Sequence, residues 1–214
     1  MTAPVSPRPK SIGLAPGLDD AAAGQDAAKY GTSNPVVQKL LARWMDTMHA
    51  VLGDTSGVVV DIGIGEGFAL ERMFPADTPA IGLEYRHDKA LVASQKLPEV
   101  AVVRGDAGVL PFPDRSADLV TSIEVLEHLP GYEQAVVEMA RICRGRLVVS
   151  VPWEPWFRLG NLGRGKNVKQ WGNDPEHVNF FSPRKLSAAL GQHFHDVKVT
   201  KAFPWIIAEA TDPR

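Results

Sequence analysis

A chain of 214 residues with 44% hydrophobic side chains is ordinary for one α/β domain, short for two, and too apolar for a disordered polymer. A formal net charge of −2 supplies no global field for a polyanion, which disfavours nucleic acid as a partner. A single cysteine, Cys143, excludes an internal disulfide and a cysteine-built zinc site. No run of about 20 apolar residues marks a membrane span. Pro4, Pro7 and Pro9 interrupt any signal-like stretch, so the expected location is cytoplasmic.

Residues 1–28 are rich in Pro, Ala, Gly and Asp and read as a mobile tail ahead of one domain over 29–214. Asn34-Pro35 starts a helix, with Val36, Val37, Leu40, Leu41, Trp44, Met45 and Met48 at helical spacing, and Leu52-Gly53 ends it. Strands and helices then alternate. Val58–Ile62 reads as a strand, Phe68–Phe74 a helix, Ala80–Leu83 a strand, Asp88–Lys96 a helix and Val100–Arg104 a strand. Leu119–Ile123 is a strand, Tyr132–Ile142 a helix and Leu147–Val151 a strand. Cys143 falls at the end of an apolar helix, where a free thiol is a small buried hydrophobe. This alternation predicts an α/β fold with a mostly parallel sheet. Residues 152–182 break the rhythm and read as an irregular insert on the substrate side. Ser182-Pro183 opens a helix to Leu190, and Val197–Thr200 with Trp205–Ala208 reads as a closing hairpin.

Val58-Val59-Val60-Asp61-Ile62-Gly63-Ile64-Gly65-Glu66-Gly67 runs a buried strand into a glycine loop. Glycine lets such a loop turn tightly and approach a ligand. A dinucleotide fingerprint needs its third glycine three positions after the second, and Phe68 occupies that place. Asp61 and Glu66 would repel a pyrophosphate but suit an amino group and a sulfonium, the charges of S-adenosylmethionine. Glu84, ending the next strand, is placed to accept from ribose hydroxyls, and Asp106, ending the third, from an adenine amino group.

On these residues the chain resembles the class I S-adenosylmethionine-dependent methyltransferases, from about Tyr30 to Ala210. Asp61 to Gly67 resembles the family's glycine motif, with Ile64 where many members carry Cys or Ala; Glu84 resembles the ribose-binding acid and Asp106-Ala107 the adenine-binding pair. Leu110 to Asp114 and Ala117 to Val120 resemble the lead into the fourth strand. The resemblance implies a Rossmann-like seven-stranded sheet with helices on both faces and an antiparallel last strand. It further implies that Asp61, Gly63, Gly65, Gly67, Glu84, Asp106, Ala107 and Glu124 bind the cofactor, and that Tyr30 covers it.

Ser122-Ile123-Glu124-Val125-Leu126-Glu127-His128-Leu129 follows the fourth strand. On one helical turn Glu124, Glu127 and His128 would share a face. Such a set suits a divalent cation, or a general base at His128, or a purely structural role. The segment resembles that of small-RNA 3′-end 2′-O-methyltransferases, in which Glu-x-x-Glu-His and a later His bind metal, and of ubiquinone-pathway O-methyltransferases. His177 is the later candidate here, making Glu124, Glu127, His128 and His177 the residues for acceptor chemistry, with no dedicated metal ligand assigned. His49, His87, His193 and His195 read as surface residues.

The insert holds Trp153, Trp156, Phe157 and Trp171, with Arg158, Arg164, Lys166 and Lys169. It suits an acceptor pocket or lid, a lipid- or phosphate-facing surface, or plain packing. The reading is methyl transfer to an oxygen of a small-molecule or lipid- or sugar-linked acceptor. Its rivals are a non-catalytic S-adenosylmethionine-binding subunit, an RNA 3′-end 2′-O-methyltransferase and a nicotinamide oxidoreductase.

Overall fold

The computed structural model describes residues 31–163, 165, 171 and 174–214. The tail, Tyr30, Arg164, Lys166 and Lys169 lie outside the described residues. Helix α1 (Pro35–Leu52) starts as its sequence dictates. Asn34 Oδ1 accepts from Val36 N at 3.0 Å and Val37 N at 3.3 Å, and Pro35 occupies the first turn. Leu41, Trp44, Met48 and Leu52 form its buried stripe.

Thereafter β1 (Val59–Ile62), α2 (Phe68–Met73), β2 (Ala80–Glu84), α3 (His87–Lys96) and β3 (Ala101–Arg104) lead to β4 (Ala117–Ile123). A 3₁₀ turn (Leu126–His128), α4 (Tyr132–Ile142), β5 (Cys143–Pro152), α5 (Trp156–Gly163), α6 (Pro183–Gly191), β6 (Phe194–Ala202) and β7 (Trp205–Pro213) complete the chain. The sheet has seven strands in the order β3-β2-β1-β4-β5-β7-β6. β1 to β5 pair in parallel, and β7 runs antiparallel between β5 and β6. The expected Rossmann-like sheet with an antiparallel last strand is present.

Side chains alternate between two cores because successive strand residues point to opposite faces. Val60, Ile62, Val120, Leu147, Val149 and Val151 pack with Tyr132, Met139, Leu186 and Leu190 of α4 and α6. Val59, Leu119, Val148 and Ile207 pack with Trp44, Met48, Leu70 and Ala93 of α1, α2 and α3. Helices therefore cover both faces. The strand order reverses between β1 and β4, and open α/β sheets bind ligands in the crevice at such a switch point.

Three expectations need correction. Cys143 opens β5 instead of closing a helix; it is buried, and burial pushes its thiol up to about 12. Residues 152–182 are not wholly irregular: α5 forms at Trp156–Gly163, where Gly160 and Gly163 weaken the helical signal in the sequence. β5, β6 and β7 are longer than their apolar runs, because Glu209 and Thr211 of β7 sit in ladder positions opposite Val148 and Arg146 of β5. Among the described residues no helix is long and apolar enough to cross a membrane.

Candidate functional site

The glycine loop is fixed by backbone hydrogen bonds before any ligand is considered. Gly63 N and Ile64 N both donate to Leu83 O, at 2.7 and 3.0 Å, which folds the loop over the end of β2. Gly63 has φ +81°, and a Cβ there would lie 2.4 Å from Val125 Cγ2, so glycine is required on both counts. A cavity of about 290 Å³ opens beyond this loop at the β1–β4 switch point. Asp61, Gly63, Gly65, Glu84, Ala107 and Glu124 line one part of it; Glu127, His128 and His177 line another.

Two expected cofactor contacts do not line the cavity. Gly67, with φ +81°, precedes the first turn of α2, and that left-handed backbone is what requires glycine; a Cβ there would also lie 2.8 Å from Leu97 Cδ1, the movable end of a side chain. Asp106 turns its Oδ1 to Gly108 N at 2.7 Å, so Gly105 and Ala107 form the wall at that point.

Asp61 is buried and accepts from the Thr121 hydroxyl at 2.7 Å. Burial pushes its carboxyl up to about 6, against the Thr121 hydrogen bond and with help from the neighbouring Glu84 carboxylate. Glu84 is also buried, and both its oxygens are held: Oε2 accepts from Gly65 N and Oε1 from Arg86 N, each at 2.9 Å. Two backbone donors therefore orient the Glu84 carboxylate.

The segment after β4 is not the helical turn that the spacing suggested. Glu124 has φ +55° and lies before the 3₁₀ turn, so it does not share a helical face with Glu127 and His128. Its N donates to Ser150 O at 2.8 Å, and its Oε1 accepts from Trp205 Nε1 at 2.5 Å. Glu124 still lines the cavity, brought there by a left-handed residue and a tryptophan of β7.

Glu127, His128 and His177 do converge: each offers a ligating atom, and these atoms lie within 4.8 Å of one another. Their positions are locked from the 174–179 segment. Val178 N and Asn179 N donate to Glu127 O at 2.9 and 3.0 Å. Asn179 Nδ2 donates to Leu126 O at 2.9 Å and Leu129 O at 2.6 Å. His128 Nδ1 lies 3.0 Å from Glu176 O. A carbonyl only accepts, so Nδ1 is the donor at this contact, and in the neutral form of the ring the basic nitrogen is Nε2. Two imidazoles and one carboxylate are a donor set of the kind that holds Zn²⁺, Fe²⁺ or Mn²⁺.

With the geometry in place, sequence comparison places residues 60–149 in a family described as a methyltransferase domain. Over that span the chain is similar to a methyltransferase domain. A probable S-adenosylmethionine-dependent methyltransferase of Mycolicibacterium smegmatis is 37% identical over 106 residues, covering 48% of this chain and 40% of the relative. A demethylmenaquinone methyltransferase of Renibacterium salmoninarum is 30% identical over 135 residues, covering 61% of this chain and 57% of the relative. The chain thus spans about half the length of these curated relatives. Among solved structures, magnesium protoporphyrin IX methyltransferase of Synechocystis with bound S-adenosylhomocysteine superposes with a TM-score of 0.65 at 19% identity, covering 87% of this chain and 92% of that one. That likeness concerns the fold.

Trp205 and Asn179 are not among the residues that the sequence marks for the site, whereas Phe157 belongs to the insert expected to form a pocket or lid. Trp205 was read as a strand residue, yet it holds Glu124 from 81 residues away. Phe157 lines the cavity, with its ring 5.6 Å from that of His177. No local pattern reports such contacts; only Asn179, two residues after His177, sat beside a residue already singled out.

Proposed function

We propose that the chain binds S-adenosylmethionine and transfers its methyl group to an oxygen of a small-molecule or lipid- or sugar-linked acceptor, with His128 taking the hydroxyl proton. One observation carries this reading: a single cavity joins the Gly63–Gly65–Glu84 wall to the Glu127–His128–His177 cluster. The cofactor supplies a methyl carbon activated by its sulfonium, so that the C–S bond breaks as the C–O bond forms. The chain's residues then bind, orient and accept a proton. Gly63 and Gly65 leave room for the methionine part near Asp61, Glu84 accepts from the ribose, and Gly105 and Ala107 flank the adenine side with Asp106 behind them. His128, held by Glu176 O, presents Nε2 as the base.

The clustering of Glu127, His128 and His177 favours a second reading, in which these residues hold a divalent cation that orients the acceptor oxygen. Chelation separates the two. Methyl transfer by the metal-stripped chain supports the base, whereas loss restored by Mn²⁺, Zn²⁺ or Mg²⁺ supports the cation.

The first test is titration calorimetry with S-adenosylmethionine, S-adenosylhomocysteine and NAD. Binding of the two sulfur ligands and not NAD is expected; preference for NAD overturns the proposal. An acceptor screen follows, in which His128→Gln is expected to lower kcat by about 10²- to 10⁴-fold while S-adenosylhomocysteine affinity holds. Cofactor binding with no transfer to any hydroxyl acceptor would favour the non-catalytic subunit.

A further inference from the structure

The edge of the sheet that carries the cavity also carries aromatic side chains that the proposed chemistry does not use. Trp153, Trp156 and Phe203 form a triangle, with ring centroids 6.3, 6.5 and 6.3 Å apart. They come from three places: the end of β5, the first turn of α5, and the β6–β7 turn. Trp156 is 44% exposed and Phe203 41%. Leu159, one helical turn beyond Trp156, is 53% exposed. Large apolar side chains gathered in this way are unusual on a surface that faces only water.

Two cations among the described residues border aromatic rings here. Lys201 Nζ lies 5.0 Å from the centre of the Trp153 ring, and Arg158 Cζ lies 5.7 Å from that of Phe180. Glu154, the acid between Trp153 and Trp156, is turned inward: its Oε1 is out of solvent contact, and its Oε2 accepts weakly from Arg158 N at 3.4 Å, while Asp174 and Glu176 line the cavity. The outward face is therefore aromatic and cationic. Tryptophan and phenylalanine beside Lys or Arg is the combination that settles at a bilayer interface, rings among the acyl boundary and cations among anionic headgroups.

Helix α5 is two-sided. Phe157 points into the cavity and packs against His177 and Trp205, at 5.6 and 6.2 Å between ring centroids, while Trp156 and Leu159 point outward. The surface and the acceptor end of the cavity are thus two faces of one helix.

We propose that the face formed by Trp153, Trp156, Leu159 and Phe203, rimmed by Arg158 and Lys201, docks on an anionic lipid bilayer. The cavity then lies beside the membrane surface. The proposal goes beyond the transfer reaction and does not rest on it, since binding is read without turnover.

The test is co-sedimentation of the full chain with vesicles of phosphatidylcholine alone and of phosphatidylcholine with phosphatidylglycerol. The chain is expected to sediment with the anionic vesicles, less so with the neutral ones, and less again as salt rises. Trp156→Ser with Phe203→Ser is expected to weaken partitioning by at least about tenfold, from the loss of two buried rings. Lys201→Glu, an exposed change that spares the fold, is expected to weaken anionic binding by several-fold, about the contribution of one cation. Each variant is first shown to bind S-adenosylhomocysteine like the parent chain. Soluble glycerol phosphate is expected not to compete; full competition would assign the site to a free phosphate and overturn the bilayer. Equal sedimentation of parent and variants, or none with either vesicle, would also overturn it. So would self-association abolished by Trp156→Ser with Phe203→Ser in the absence of vesicle binding, which would make a second copy the occupant.

Discussion

Asp61 sits where an acid is costly, and that cost has a measurable consequence. In the folded chain its carboxyl is raised to about 6, first because it is buried. Unfolded, an Asp titrates near 4. Between those values the folded chain holds the extra proton, so the contribution of Asp61 to stability falls as pH rises through that window and is gone above about 6. A ligand ammonium requires the carboxylate form. S-adenosylhomocysteine affinity is therefore expected to fall by up to about tenfold per pH unit below 6, and Asp61→Asn is expected to flatten that profile while weakening binding near pH 7.5. Calorimetry across pH 5 to 8 checks this; a parent profile as flat as the variant's would remove Asp61 from the ligand's amino contact. The identity of Asp61, Gly63 and Glu84 was legible because each stands at a strand end in one contiguous motif or one strand later. The separation of Gly67 and Asp106 from the cavity was not, because the path of the backbone at Gly67 and the turn of the Asp106 side chain to Gly108 N are set in three dimensions.

At the scale of an element, the 3₁₀ turn Leu126–His128 does not stabilise itself. Three residues make one or two internal bonds at poor geometry, so the turn depends on outside donors. Asn179 supplies two of them through one amide, at Leu126 O and Leu129 O. Asn179→Ala leaves those carbonyls without these donors and is expected to cost about 1–3 kcal/mol. The same change is expected to lower kcat by about tenfold or more through displaced His128, with S-adenosylhomocysteine affinity nearly unchanged. An equal loss of affinity and kcat would mean that Asn179 supports the fold generally and does not position the turn. The helical face expected for Glu124, Glu127 and His128 failed for a related reason. Spacing speaks of a face only if every residue is helical, and Glu124 is left-handed.

Across the whole molecule, α1 is joined to the sheet from its far side. Arg146 of β5 donates from Nη1 to Val51 O and to Glu209 Oε1, each at 3.0 Å, and from Nη2 to Leu52 O. It thus satisfies carbonyls at the end of α1, where the helix has no internal donors left, and bridges to β7. Trp44, fully buried on the same helix, donates to Ser150 Oγ of β5 at 2.9 Å. Arg146→Ala is expected to cost about 1–3 kcal/mol and to lower Tm by roughly 2–10 °C for a chain of this size. Cofactor affinity should hold, because Arg146 lies away from the cavity lining. Scanning calorimetry checks the shift; an unchanged Tm would mean that water replaces these contacts at no cost.

The sequence by itself determined the periods, the glycine loop and the strand-end acids. These are local: a strand's alternation, a helix's stripe and a loop's need for positive φ act within about ten residues, and they suffice to foresee an alternating α/β chain with a closing hairpin, whereas the antiparallel last strand of the sheet was implied by the family resemblance. Tertiary structure decided which of the singled-out residues meet. Glu124 reaches the cavity through Trp205, His128 through Glu176, and the 3₁₀ turn through Asn179, each from a distant part of the chain. It also decided that Trp153, Trp156 and Phe203 form one surface. A hydrogen bond or ring contact forms at a few ångströms in space with no regard to separation along the chain, so no pattern in the sequence reports it.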